Sequence, residues 1–182
     1  MRLGATWIAG LVLALMGSAG QARGQAPAPS EYQLKAAFLY HFAQFVEWPA
    51  TSFTNANAPL VIGILGQNPF GGDLEKTING KSINNRLVTV REIRSAAEAT
   101  NSCHLLFVCS SEQGRLPEVF TALGGANVLT VGETERFLDE GGIINFVREG
   151  AKIRFKVNEA GAKRAGLKIS SKLLSLASHT GR

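Results

Sequence analysis

Cysteine is scarce in this chain, with two residues, Cys103 and Cys109, in 182. If the apolar run between them is a strand, the two lie roughly 20 Å apart, whereas a disulfide needs Cα atoms within about 7 Å. We therefore predict two buried thiols that do not pair with each other, while a disulfide between two copies of the chain stays open. This spacing does not fit a zinc site either, and the neighbouring His104 is interpreted as a local hydrogen-bonding residue.

The chain also has little charge of one sign and no long apolar run after its N-terminus. Its formal net charge is +5, and its basic residues cluster only within Arg148–Lys156 and Lys163–Lys172. So weak a field argues against a nucleic-acid partner. No stretch beyond residue 26 reaches the ~18 apolar residues that a membrane span needs, so we expect the mature chain to be soluble.

Motifs that signal catalysis are missing as well. The Gly-x-Ser-x-Gly elbow of the α/β-hydrolases does not occur. In Gly66–Asp73 (GQNPFGGD), the lysine and hydroxyl residue of a Walker phosphate loop are replaced by glycine and aspartate. The acidic residues between Glu133 and Glu140 are interpreted as a solvated face. The sequence therefore predicts a protein that is not an enzyme and has no catalytic residues, cofactor or metal site.

The N-terminus carries the pattern of a secretory signal peptide. Arg2 supplies a short positive region, Thr6–Met16 is an apolar segment too short to span a bilayer, and two Gly-Gln-Ala triplets offer cleavage sites. An N-terminal membrane anchor is the alternative interpretation. The predicted boundaries are a signal peptide at 1–26, a flexible segment at 27–30, a single domain at 31–177 and a tail at 178–182.

The most apolar part of the mature chain is residues 31–49, EYQLKAAFLYHFAQFVEWP. On a helical wheel its apolar side chains fill about 200°, twice the width that a surface helix needs, and Lys35 falls inside that arc. Pro49 ends the helix because it has no N–H to donate. So wide an arc predicts contact with the rest of the domain and with a second copy of the chain. The predicted residues of this homodimer interface are Leu39, Phe42 and Val46.

Beyond residue 59 the pattern alternates between strands and helices. The predicted strands are Leu60–Leu65, Leu87–Val90, Leu105–Cys109 and Val128–Val131, and the predicted helices are Phe70–Ile78, Ser95–Thr100, Ser111–Leu123 and Glu133–Asp139. This alternation predicts an α/β fold with a mostly parallel sheet of about six strands and helices on both faces. Ile143–Arg148 and Lys152–Val157 are joined too tightly for a crossover, so we expect an antiparallel hairpin at a C-terminal edge.

A sheet of this kind has a crevice beyond the carboxyl ends of its strands, where backbone N–H groups can hold a polar ligand. We expect the turns after the first, third and fourth strands to line it. The candidate ligand-binding residues are Gly66, Gln67, Asn68, Ser110, Ser111 and Gly132. Ordinary turn chemistry is the alternative interpretation of these residues.

Several stretches of the chain carry a combined pattern. Tyr32–Pro49 has the form YxxKAAFLYxFxxFxxWP, and Cys103–Val108 (CHLLFV), Ile153–Asn158 (IRFKVN) and Ala165–Leu174 (AGLKISSKLL) follow it in order. Together with shorter motifs at 63–66, 129–132 and 141–144, they resemble the YfiR-like family of Gram-negative periplasmic proteins. The likeness covers about residues 31–177.

The resemblance implies a periplasmic regulator that binds the periplasmic domain of an inner-membrane diguanylate cyclase and represses it. Cyclic-di-GMP output and biofilm formation would then fall. It also implies an outer-membrane lipoprotein as a second partner, and a sensor kinase is the alternative target. Cys103 matches a family position, but its usual disulfide partner is missing and Cys109 is additional, which puts redox control of this chain in doubt.

The predicted contact surface for such a partner is the C-terminal hairpin and the helix after it, because binding hot spots favour aromatic residues and arginine. The candidate partner-binding residues are Phe146, Arg148, Arg154, Lys156, Glu159 and Arg164. A core position for Phe146 and a solvated role for the charges are the alternative. A small-molecule sensor module that uses the crevice, and an enzyme of unrecognised type, stay open as other functions.

Overall fold

The computed structural model describes residues 28–178, in which two β-sheets are formed by nine strands. The strands are β1 Val46–Glu47, β2 Leu60–Leu65, β3 Ser82–Ile83, β4 Arg86–Ile93, β5 Leu105–Val108, β6 Leu129–Gly132, β7 Ile144–Glu149, β8 Lys152–Val157 and β9 Lys168–Ile169. The helices are α1 Glu31–Gln44, α2 Asp73–Ile78, α3 Ala96–Ser102, α4 Leu116–Leu123, α5 Glu159–Arg164 and α6 Ser171–Leu176, with 3₁₀ segments at Ala50–Ser52 and Ser110–Arg115. The predicted signal peptide lies outside the described residues.

The main sheet has seven strands in the order β3-β4-β2-β5-β6-β7-β8. Strands β4, β2, β5, β6 and β7 run parallel, and β3 and β8 are antiparallel to their neighbours. The predicted α/β fold, with a mostly parallel sheet and an antiparallel edge hairpin, is confirmed. The sheet has one strand more than the six predicted, and this additional strand is β3. It is followed by a tight turn at Asn84 and Asn85, whose φ angles of 50° and 63° suit a hairpin turn.

Two apolar cores cover the two faces of this sheet. Along β5, Leu105 and Phe107 belong to the core that contains α1 and α2, while Leu106 and Val108 belong to the core that contains α3 and α4. All four side chains are buried, which explains why β5 is a continuous apolar run in the sequence. None of the helices within residues 28–178 has both the length and the apolar character of a membrane span.

Helix α1 lies outside the strand–helix rhythm and is fixed by packing on one face of the sheet. It ends at Gln44, earlier than Pro49 predicts, because Val46 pairs with Ile169 in the small antiparallel sheet of β1 and β9. The Phe45 carbonyl also accepts a hydrogen bond from the Ser170 N–H at 2.9 Å. The two ends of the domain are therefore joined at the C-terminus of α1.

The helix predicted at Glu133–Asp139 is wrong, because residues 134–141 form bends and turns. Phe137 lies so close to the backbone on both sides of this segment that only glycines fit beneath it. A Cβ at Gly132 or Gly142 would come within 2.3 Å or 2.2 Å of its ring. The segment, which we call the Phe137 turn (residues 133–142), is held in a loop by this contact and by a Gly142 N–H to Phe137 carbonyl hydrogen bond of 2.9 Å.

Candidate functional site

The crevice predicted at the strand ends lies where the strand order reverses. In the sheet, β2 lies between β4 and β5. The chain continues from β2 toward the β4 side and from β5 toward the β6 side, so the loops after β2 and β5 lead in opposite directions. A cleft of about 410 Å³ opens between them. Its lining residues are Gln67, Asn68, Pro69, Ser110 and Ser111. Four of the six candidate ligand-binding residues are thus brought together.

A fifth candidate, Gly66, does not line the cleft but lies against Ser111, which does. Its φ is +96°, and a Cβ there would lie 2.5 Å from the Ser111 Oγ. Glycine is therefore needed for the two loops to approach each other. The Ser111 Oγ accepts the Gln67 N–H at 2.9 Å, and the Asn68 Oδ1 accepts the Phe70 N–H at 2.9 Å. Gly132, the sixth candidate, is packed under the Phe137 ring instead.

The carboxylate of Glu133 lies beside this crevice, next to the Ser110 backbone, and its side chain is 6% exposed. One oxygen accepts the Ser110 N–H at 3.3 Å, and the other accepts the Lys35 ammonium at 2.7 Å. The Tyr32 hydroxyl lies 3.4 Å from the carboxylate oxygen that binds Lys35. Backbone N–H groups at such crevices commonly hold a ligand anion, and here one of them binds an anionic group of the protein itself.

Lys35 connects this carboxylate to α1. Its ammonium is buried, contacts Glu31 at 2.6 Å and lies 4.6 Å from the centre of the Tyr32 ring. Burial alone lowers the pKa of Lys35, but the hydrogen bonds to Glu133 and Glu31 outweigh it and raise the pKa above its ordinary value. Burial, and then the Glu133 charge, raises the pKa of Tyr32. We call Glu31, Tyr32, Lys35 and Glu133 the buried ion cluster.

Sequence reasoning missed this cluster. In the sequence, Lys35 interrupts the apolar arc of α1, and Glu133 belongs to the acidic residues that the pattern places on a solvated face. A signal was present, because a lysine inside an apolar helix face needs a partner when that face is buried. The partner could not be found from spacing, since Glu133 is 98 residues further along the chain.

The candidate partner-binding residues are divided between the core and the surface. Phe146 is buried and packs on Phe42, with ring centres 5.6 Å apart. Arg148 is exposed on the α1 side of the hairpin, where it lies 3.3 Å from Glu31. Arg154 and Lys156 project from the opposite side of β8, and Glu159 and Arg164 are exposed on α5.

The three candidate dimer residues lie inside the domain. Leu39 and Phe42 are 0% exposed and Val46 is 3% exposed, so their side chains offer no surface to a second copy. The wide apolar arc of α1 is used by its own sheet, where Phe42 packs on Phe155 at 4.9 Å. The homodimer itself stays a prediction, and Leu34, at 38%, is the most exposed large apolar side chain of α1.

Both cysteines are free and buried, and burial raises the pKa of each thiol to about 12. The prediction for His104 is also confirmed. Its Nδ1 accepts the Val61 N–H at 3.1 Å, which leaves Nε2 to donate to the Ser52 carbonyl at 3.1 Å. Burial lowers the pKa of His104. Across residues 28–178, no three His, Cys, Asp or Glu side chains are placed to share a metal ion.

Two solved structures are similar to this chain. A conserved domain protein from Vibrio cholerae O1 biovar El Tor has a TM-score of 0.55 and 10% identity, over 82% of this chain and 60% of that one. An ABC domain in complex with L-Trp from Streptococcus pneumoniae has a TM-score of 0.49 and 14% identity, over 65% of this chain and 54% of that one. The chain thus spans less than two thirds of either structure. The curated proteins contain no sequence match.

Comparison with protein families gives a match over residues 32–178, which is nearly the whole of the described structure. The matched region contains the whole main sheet, α1 except its first residue, and every member of the buried ion cluster except Glu31. It also agrees with the stretches whose motifs resemble the YfiR-like proteins. The chain therefore belongs to the YfiR/HmsC-like family, whose members are periplasmic regulators.

Proposed function

We propose that this protein binds the periplasmic domain of an inner-membrane signalling enzyme and holds that enzyme inactive. The favoured target is a diguanylate cyclase, so that binding lowers cyclic-di-GMP output. A sensor kinase is the alternative target, and an outer-membrane lipoprotein is a second partner that would release the enzyme. The observation that carries this proposal is the YfiR/HmsC-like match over residues 32–178.

Repression of this kind requires that the protein bind the inactive state of its target more tightly than the active state. A shift from 99% active to 99% inactive needs a difference of about 10⁴-fold in affinity. The surface offered for this binding combines the exposed cations Arg154 and Arg164 with half-buried Val147, which lies opposite Arg154 in the hairpin. Arginine beside apolar groups is typical of binding hot spots.

Deletion of the gene tests this function. We expect cellular cyclic-di-GMP and surface attachment to rise, and both to return to their former level when the full chain is restored. A chain without residues 1–26 is the matched control, because it should remain in the cytoplasm and fail to restore repression. If neither quantity changes on deletion, and no membrane signalling protein co-purifies with the chain, the proposal is wrong.

The second candidate function is a sensor module that binds a small molecule in the crevice. The cleft between the loops after β2 and β5 favours it, since a reversal of strand order is where such sheets bind ligands. Because the Glu133 carboxylate already accepts the Ser110 N–H beside the cleft, we expect a neutral or cationic ligand. A thermal-shift screen of periplasmic metabolites tests this, since a ligand at 100 times its Kd adds about 2.7 kcal/mol. A triple Asn68→Ala, Ser110→Ala, Ser111→Ala variant should lose the shift.

A further inference from the structure

The outer edge of β8 is the open side of the hairpin that ends the main sheet. The Phe155 carbonyl points away from β7, because it accepts the Ser178 N–H at 2.8 Å. Alternate residues of a strand direct their N–H and C=O groups to the same edge, so the backbone N–H and C=O groups of Ile153 and Val157 also point to the outer edge. Within residues 28–178, Ser178 makes the one hydrogen bond that this edge receives.

The charges beside this edge have one dominant sign. Phe155 packs on Phe38 and Phe42, so the cationic residues that alternate with it lie on the other face of β8. Lys152 and Arg154 are exposed there, and Lys156 is half-buried. One carboxylate, Glu149, lies 3.9 Å from Arg154. The edge is therefore bordered by a net positive strip, which attracts an acidic partner and repels a second copy of itself.

We propose that the outer edge of β8 is a docking site for an extended acidic segment of a partner protein, which adds to the sheet as a further strand. This deepens the proposed function, on which it rests, by naming the chemistry of the segment that is recognised. The Ser178 N–H occupies part of the same edge, so Ser178 competes with the incoming strand. Backbone pairing supplies the affinity, and the cationic strip selects for glutamate or aspartate at alternate positions.

Fluorescence anisotropy with a labelled eight-residue peptide of alternating valine and glutamate tests the docking site. We expect the full chain to bind this peptide and to bind a valine–lysine peptide at least tenfold more weakly. Methylation of alternate backbone nitrogens should abolish binding, because it removes the N–H groups that pair with β8. No binding of the acidic peptide, or equal binding of the lysine or methylated peptide, would overturn the proposal.

Variants of the chain locate the site. The double variant Arg154→Glu, Lys156→Glu should weaken peptide binding at least tenfold, while Arg91→Glu on β4, at the other side of the sheet, should change it less than twofold. Ser178→Pro removes the competing N–H and should strengthen binding about fivefold, the worth of one backbone hydrogen bond, whereas Ser178→Ala should not. Ala177 already has φ −68° and ψ 141°, which a following proline tolerates. Equal losses for the β4 and β8 variants would overturn the proposal.

The same double variant separates this inference from the proposed function. If a receptor domain binds wild type and the Arg154→Glu, Lys156→Glu variant equally well, the repressor function stands and the β8 docking site is wrong. If deletion of the gene changes neither cyclic-di-GMP nor surface attachment and no membrane signalling protein co-purifies, while the acidic peptide still binds at β8, the docking site stands and the repressor function is wrong. Circular dichroism melting of each variant excludes unfolding as the cause of a loss.

Discussion

Lys35 is the residue on which the position of α1 at the crevice depends. Its ammonium lies between Glu31 and Glu133 and is the one cation within hydrogen-bond distance of the Glu133 carboxylate among residues 28–178. A buried pair contributes little relative to apolar residues of the same size, yet removal of one partner is costly because the other charge is left without compensation. The cluster therefore specifies where α1 sits more than it adds to stability.

Lys35→Met should lower the free energy of unfolding by about 3 kcal/mol, because Glu133 stays buried without its cation. The double variant Lys35→Met, Glu133→Gln should be more stable than the sum of the two single losses predicts, by at least about 1 kcal/mol. Urea unfolding of the four proteins measures this coupling. Strictly additive losses would mean that the two side chains do not act as a pair.

His104 predicts how stability depends on pH. Its Nδ1 accepts a hydrogen bond from the Val61 N–H, so a proton there would place two N–H groups against each other. Burial lowers the pKa of His104 in the folded state below the ordinary value of 6.5. Its contribution to stability is therefore complete above about pH 6.5 and is lost as the pH falls through the folded-state pKa.

Urea unfolding at pH 7.5 and pH 5.0 measures this dependence, and stability should decline toward the lower pH. A His104→Asn variant keeps an acceptor for the Val61 N–H but does not titrate, so its decline should be smaller. Glu31 does not obscure the comparison, because its hydrogen bond to Lys35 lowers its pKa from 4.5. An equal decline in the variant would assign the pH dependence to other groups.

At the scale of elements, six strands of the main sheet could be predicted, whereas the two-residue strands β1, β3 and β9 and the Phe137 turn could not. The apolar runs of β2, β5 and β6 are buried on both faces, a pattern that depends only on neighbouring residues. Glu133–Asp139 has helix-like spacing, but its conformation is decided by contact of Phe137 with Gly132 and Gly142. The crevice could be predicted because strand ends meet at one edge, whereas the pairing of Glu133 with Lys35 is a tertiary contact without a local signal.

The glycine beneath Phe137 gives a test of that turn. Gly132→Ala places a Cβ 2.3 Å from the ring, so either the ring or the turn must move, at a cost of about 1–3 kcal/mol. Gly114→Ala is the matched control, since its added Cβ would meet no atom within 4 Å beyond its own helical turn, and it should change stability by less than about 0.5 kcal/mol. Thermal and urea unfolding compare the two variants. Equal stabilities would show that Phe137 moves without resistance.

At the scale of the whole molecule, helix α1 connects the fold to the question of assembly. Its sequence has more apolar surface than a single domain was expected to need. The main sheet, including β8, and the β1–β9 pair bury most of that surface. Leu39, Phe42 and Val46 are among the buried residues. A dimer of this chain must therefore form through side chains that remain exposed, and on α1 these centre on Leu34 and half-buried Phe38.

Sedimentation equilibrium of the wild type and Leu34→Asp tests the predicted homodimer. We expect the wild type to be a dimer, and the variant to be a folded monomer, because a carboxylate at an exposed contact opposes association without entering the core. Leu176→Asp is the matched control, since Leu176 is also exposed, at 58%, but belongs to α6. Phe42→Glu should unfold the chain instead, because it buries a charge among Phe38, Phe146 and Phe155. A monomeric wild type would make the dimer prediction wrong, and a dimeric Leu34→Asp would move its interface away from α1.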